Sequence, residues 1–404
     1  MTSTTEPASR SDSDDIADCR PQQLITRTVR AGIDTDAAHR AVTPPLHLST
    51  SYSFAGLEQR GAYDYSRSGN PTRDLFAQAV ADLEGAAGAC VTASGMGAIT
   101  TVLHAVLPAG GTVLAPDDCY GGSWRLFTAL ERTGRLRLRL VDFTDLDAVR
   151  AALTDEVDLV WVESPSNPLL RLTDIAAVAE LAHAAGALVA ADNTFASPVI
   201  QRPIALGADV VVHSATKYLN GHSDVVAGIV AAADPSVVEQ LCWWANTLGV
   251  TGGAFDSFLA LRGLRTLHLR FDAAQRGASA VVELLRSHPA VGAVHYPGLS
   301  EHPQHELACR QQNGFGAIIS FEVADRDAVE ALVDGLSTFT LAESLGGVES
   351  LISHPATMTH AAMPAEVQRA AGITPGLLRL SIGVEDPSDL VADLRAGLDR
   401  AASA

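Results

Sequence analysis

The segments ALVAADN (187–193) and DVVVHSATKYLNGHSD (209–224) decide the fold. Each begins as a short run of Val and Ala and turns polar only at its C-terminal end, the pattern of a strand buried on both faces of a parallel sheet. LVWVESP (159–165) precedes them, and between it and ALVAADN lies DIAAVAELAHAAGA. There Ile175, Val178, Leu181 and Ala182 fall on one helical face and Gly186 closes the helix, so the stretch reads as one βαβ unit.

Working outward, GACVTAS (88–94), GTVLAP (111–116) and AGIVAAA (227–233) read as further strands of the same sheet. The texture changes after about residue 260. A long helical stretch, LALRGLRTLHLRFDAAQRGASAVVELLRSH, leads through HPAVGAVHYPGL to GAIISFEV, TLAESLGG and LLRLSIGVE, which read as antiparallel strands with helices. The expectation is a polar tail (1–22), an N-terminal arm (23–62), a large α/β unit with a mostly parallel sheet (63–265) and a smaller α+β unit (266–404).

The chain has 404 residues, 47% hydrophobic and 19% charged, which is globular and too long for one small core. A net charge of −19 opposes nucleic acid or an anionic membrane as the main partner. Cys19, Cys90, Cys119, Cys242 and Cys309 are odd in number and lack a CxxC, against a disulfide framework or zinc site. No signal-like leader or membrane-length apolar run is evident, so a cytoplasmic enzyme is expected.

Of 28 basic residues only Lys217 is lysine. A GC-rich coding bias accounts for the arginines but not for the exception. Arginine replaces lysine as a solvated charge, yet cannot act as a free amine. Lys217 follows a buried strand, where open α/β sheets bind ligands, and a lysine there can join an aldehyde cofactor such as pyridoxal phosphate. The bland alternative is a capped helix start followed by a surface lysine.

Such a cofactor requires further groups. Ser214 and Thr216 offer hydroxyls to a phosphate. Asp192, 25 residues before Lys217, can hold a protonated ring nitrogen, or simply cap the next segment. Ser94-Gly95-Met96-Gly97 forms a Gly-rich strand-to-helix turn suited to an anion, though many structural turns look the same. Tyr120, in DDCYGGSWR, offers an aromatic face and a proton carrier, or a structural loop residue. No complete dinucleotide fingerprint is present. HPQHELAC (302–309) raises a noncatalytic metal-binding protein as a different class of reading, but is expected to be a polar surface segment with no metal.

The strings YDYSRSGNPTR (63–73), SGMGAI (94–99), CYGGSWRLF (119–127), VESPSNPLLR (162–171), ADNTF (191–195), HSATKYLNGHSDVVAG (213–228), WWANTLGVTGGAFDSFLALRGLRTL (243–267), AESLGGVESLISHPATMTH (342–360) and LRLSIGVED (378–386) resemble, in matching order, the Cys/Met-metabolism group of pyridoxal phosphate enzymes. The resemblance implies an aspartate-aminotransferase-like (fold type I) architecture. It makes Lys217 the Schiff-base lysine, Asp192 the pyridinium partner and Tyr120 the ring-stacking residue, with Gly95, Met96, Ser214 and Thr216 on the phosphate. Tyr65 and Arg67 match phosphate ligands donated across a subunit boundary, implying a homotetramer made of two active-site-sharing dimers.

For the substrate, the resemblance implies that Arg379 binds the α-carboxylate, helped by Asn167 and Ser344. Asp64, Arg125 and Glu343 match positions facing the far end of the substrate or the incoming thiol amino acid. The implied reaction is γ-replacement on an O-acyl-L-homoserine by L-cysteine. Asp64-Tyr65, WWANTLGVTGG and YGGSWRLF favour it over γ-elimination from cystathionine, with which Glu343 is equally compatible.

Overall fold

The computed structural model describes residues 23–403 except Ala362, so the polar tail (1–22) and Cys19 lie outside the described residues. Seven strands form the first sheet: β1 (Gly88–Thr92), β2 (Thr112–Pro116), β3 (Arg137–Val141), β4 (Leu159–Glu163), β5 (Leu188–Asp192), β6 (Val210–Ser214) and β7 (Gly228–Ala232), in the order β1-β7-β6-β5-β4-β2-β3. Strands β2 to β6 run parallel, whereas β7 is antiparallel to both β1 and β6. No helix lies between β6 and β7, so the chain returns without the crossover a parallel neighbour needs.

The interior strands are apolar throughout because both faces are covered. Val210, Val212, Ala190 and Trp161 pack on one face, the Trp161 and Phe127 rings meeting edge to face at 5.6 Å, while Val160, Val162, Val189 and Ala191 pack on the other. The sequence reading missed β3. Its RLRLV alternation belongs to an edge strand, where Arg137 bonds Thr112 Oγ1 and Arg139 pairs with Glu156.

The second sheet contains β8 (Ala293–His295), β9 (Ile318–Glu322), β10 (Thr340–Leu341), β11 (Leu351–Ser353) and β12 (Leu377–Ser381), ordered β10-β11-β12-β9-β8. It is antiparallel except where β10 joins β11 in parallel. The expected long helix is two helices, Ala254–Leu264 and Leu267–Ser287, with Arg265 and Thr266 between. The second helix spans about 31 Å at ~1.5 Å per residue. Its Phe271 enters the core of the first sheet unit, and its Ala278, Val281 and Leu285 enter that of the second, opposite Leu390, Leu394 and Leu398. That shared helix holds the two sheets together and fixes the crevice between them.

Candidate active site

A cavity of about 160 Å³ opens at the C-terminal ends of β4, β5 and β6, closed by the loop around 343–345 and by Arg379 of β12. Strand order reverses nearby, with β2 and β3 on one side of β4 and β5 and β6 on the other, the usual place for a ligand in an open α/β sheet. Gly95, Met96, Tyr120, Asn167, Asp192, Ser214, Lys217, Glu343, Ser344 and Arg379, all singled out in the sequence, line it.

Lys217 is held in a turn by its N–H to Ser214 O at 3.1 Å, and its Nζ donates to Ser344 Oγ at 2.7 Å. Burial, followed by repulsion from Arg379, lowers the amine to about 8 against the opposing pull of Glu343. Arg379 is buried. Its Nη1 donates to Asn167 Oδ1 and its Nη2 to Ser344 O, each at 2.8 Å, while Nε has no protein partner. Ser344 thus joins amine and guanidinium, and holds a φ of 98° to do so.

Asp192 and Glu163 end neighbouring strands as register partners. Asp192 Oδ1 accepts the Thr194 N–H at 2.9 Å. Glu163 accepts Ser123 Oγ and Trp161 Nε1 at 2.9 Å and the Tyr120 N–H at 2.6 Å, fixing the loop that carries Tyr120. Burial and then the nearby Asp192 raise Glu163 to about 8, and burial also raises Asp192. The sequence reading missed Glu163 as a site residue, along with Thr194, Phe195 and Thr359, which also line the cavity. Glu163 stood in VESPSNPLLR, but only strand register brings it beside Asp192.

At the start of the Gly95–Val106 helix, Ser94 Oγ accepts the Gly97 N–H at 3.0 Å. The N–H groups of Gly95 and Met96 have no intrahelical partner and sit at the positive end of the helix dipole. A Cβ on Gly95 would lie 2.9 Å from Ser214 Cβ, so this approach requires glycine.

Other sequence candidates lie elsewhere. Thr216 Oγ1 is tied to Ala227 O and N at 3.1 Å and lines an adjoining groove that shares Glu343 and Ser344 with the cavity. Tyr65 and Arg67 line an open groove with Thr251–Asp256, and Arg67 Nε donates to Asn246 Oδ1 at 2.9 Å. Asp64 accepts from Ser68 Oγ at 2.6 Å and pairs with Arg60, and Arg125 is exposed on its helix. Among the described residues, no group of three or more His, Cys, Asp and Glu is placed to hold a metal ion, and no helix is long and apolar enough to cross a membrane.

The residues present fit pyridoxal phosphate. Asp192 offers a carboxylate to a ring N–H, the free Gly95 and Met96 N–H groups with Ser214 suit a phosphate, and the Lys217 amine suits the aldehyde. The unpartnered Arg379 Nε leaves a donor for a substrate carboxylate.

Residues 25–399 match the family model described as "Cys/Met metabolism PLP-dependent enzyme". The chain is 56% identical to cystathionine gamma-synthase of Escherichia coli (strain K12), covering 93% of this chain and 98% of that one. It is 46% identical to cystathionine gamma-lyase of Dictyostelium discoideum, covering 94% and 98% respectively. Cystathionine gamma synthase from Xanthomonas oryzae pv. oryzae, solved with aminoacrylate and cysteine and also with cystathionine, superposes with a TM-score of 0.94 at 57% identity over 95% of this chain and all of that one. The shared architecture is that of the aspartate-aminotransferase-like, fold type I enzymes, and this chain belongs to the Cys/Met metabolism family of pyridoxal phosphate-dependent enzymes.

Proposed function

We propose that the protein is a cystathionine γ-synthase, converting an O-acyl-L-homoserine and L-cysteine into L-cystathionine and the released carboxylic acid. The observation that carries this reading is the bridge Lys217–Ser344–Arg379, which sets an amine beside a guanidinium in one cavity, in a chain 56% identical to such a synthase. Pyridoxal phosphate, when bound, supplies an electron sink for charge developing at Cα and Cβ of the substrate.

Arg379 and Asn167 hold the substrate α-carboxylate and fix Cα within reach of Lys217. As a neutral amine, Lys217 takes the Cα proton and then moves protons at Cβ, while the γ-acyloxy group departs with its bonding electron pair as carboxylate. The cysteine sulfur then forms the new bond at Cγ, and proton return by Lys217 completes the exchange. Asp192 would hold the ring nitrogen protonated, Tyr120 would cover the ring and accept the amine proton of the entering substrate, and Glu343 would face the far ammonium.

In this reading Tyr65, Arg67, Asp64 and Arg125 serve a cavity shared between subunits of a cytoplasmic homotetramer built from two dimers. The placement of Tyr65 and Arg67 in an open groove, outside their own chain's cavity, supports that. The arm (23–62), the cofactor-binding unit (63–265) and the C-terminal unit (266–404) are the working parts.

The test is product analysis of the holoenzyme with O-succinyl- and O-acetyl-L-homoserine. With cysteine present, cystathionine should form, and without it 2-oxobutyrate should appear slowly. Rapid cysteine release from cystathionine, with no synthesis, would replace this reading with γ-elimination.

A further inference from the structure

Behind the cavity, on the opposite face of the first sheet, lies a buried polar cluster that the proposed mechanism does not use. Glu84 ends the Pro71–Glu84 helix with its side chain wholly inaccessible, and its Oε1 accepts both His213 Nε2 at 2.7 Å and Asn193 Nδ2 at 2.9 Å. His213 is 1% exposed and Asn193 0%. Asn193 Nδ2 also donates to Gln201 O at 2.8 Å, and Gln201 Nε2 reaches Ser164 O at 2.8 Å, just past β4. Glu84 Oε2 has no partner, and the Arg202 guanidinium lies against the adjoining Gly85.

Side chains alternate across a strand, so the residue after or before one facing the cavity faces the back. Asp192 faces the cavity and Asn193 faces Glu84. Ser214 faces the cavity and His213 faces Glu84. One carboxylate oxygen therefore clamps the ends of β5 and β6 at the residues adjoining the ring-nitrogen acid and the phosphate hydroxyl. Glu84 Oε1 meets two donors and Oε2 none, so the carboxylate is held through one oxygen, and that shared acceptor ties the positions of Asn193 and His213 to each other.

We infer that Glu84 is a positioning residue for the cofactor cradle, acting through Asn193 and His213 to set where Asp192 and Ser214 stand. The inference rests on the proposed cofactor site. It does not depend on which reaction follows.

The experiment compares Glu84→Ala, Glu84→Gln and His213→Ala holoenzymes with Leu394→Ala, a core change in the second sheet unit that supplies a stability control. Pyridoxal phosphate dissociation on dilution and the visible circular dichroism of the bound cofactor are read beside Tm. Residues that orient metal ligands from behind contribute about 10–100-fold to affinity, and the same order is expected for residues that orient a cofactor cradle. Glu84→Ala and His213→Ala should release the cofactor at least ~10-fold more readily and change its dichroism. Glu84→Gln, which keeps an acceptor oxygen, should recover most of the affinity. Cofactor behaviour matching Leu394→Ala at similar Tm would overturn the inference. So would failure of both alanine variants to fold, which would assign the cluster to folding alone. A wild-type chain that takes up no pyridoxal phosphate would instead refute the proposed function.

Discussion

Lys217 Nζ and Ser344 Oγ stand 2.7 Å apart, although 127 residues separate them in the chain. The amine follows a strand of the first sheet, and the hydroxyl sits on a loop of the second. Ser344 O also receives Arg379 Nη2, so one residue sets the spacing between the amine and the guanidinium.

Lys217→Ala and Lys217→Arg should both reduce turnover, by about 10²–10⁴-fold, the range for losing a positioned acid–base group. Arginine fails because its guanidinium stays protonated. The alanine variant should keep pyridoxal phosphate yet lack the absorbance of lysine-linked cofactor. Borohydride reduction of the wild type should leave one modified lysine, at the only lysine in the chain. Wild-type turnover in either variant would remove Lys217 from the chemistry.

The lowered Lys217 amine, about 8 against an ordinary 10.5, makes cofactor capture pH-dependent. At pH 7 about a tenth of such an amine is neutral, against about 0.03% for an unshifted lysine. Stopped-flow addition of pyridoxal phosphate to cofactor-stripped enzyme should therefore accelerate through about pH 8 and level off above it. A midpoint near the ordinary lysine value would contradict this reading of the site.

Arg379→Lys replaces a fork that reaches Asn167 Oδ1 and Ser344 O together with a single ammonium. Losing one charge-assisted hydrogen bond to the substrate carboxylate, about 1.5–3 kcal/mol, should raise KM about 10–150-fold. The visible spectrum of the bound cofactor should persist. An unchanged KM would show that the carboxylate binds elsewhere.

Glu163 changes stability with pH. Its native value, about 8, lies above the ordinary 4.5, so between those limits the folded chain holds a proton that the unfolded chain has released. Stability from this group is therefore lost as pH rises from about 4.5 to 8, with a limiting slope near 1.4 kcal/mol per pH unit. Urea unfolding of the cofactor-free protein should show that decline, and Glu163→Gln should flatten it by up to one proton. Equal slopes in both proteins would assign the burden to another group.

Local pattern carried much of this molecule. Six strands of the first sheet, the Ile175–Ala184 helix and the positions of Asp192 and Lys217 at strand ends are readable because a doubly covered strand must be apolar along its length and polar only where it emerges. Edge strand β3 and short strand β11 escaped. The first carries arginine on its open side, and the second is three residues long. The resemblance supplied Arg379, Asn167 and Ser344, whose types and spacing alone say nothing of a shared site.

The sequence by itself determined that one position carries an amine, Lys217, in a chain whose other lysine-or-arginine positions are all arginine. It also determined that this position follows a buried strand. Only the tertiary structure decided what surrounds the amine: Glu163 beside Asp192, Ser344 between Lys217 and Arg379, and Glu84 behind Asn193 and His213. The physical reason is that propensity and hydrophobic periodicity act over a few residues, whereas these neighbours are joined by strand order, register and the packing of two sheets along one helix.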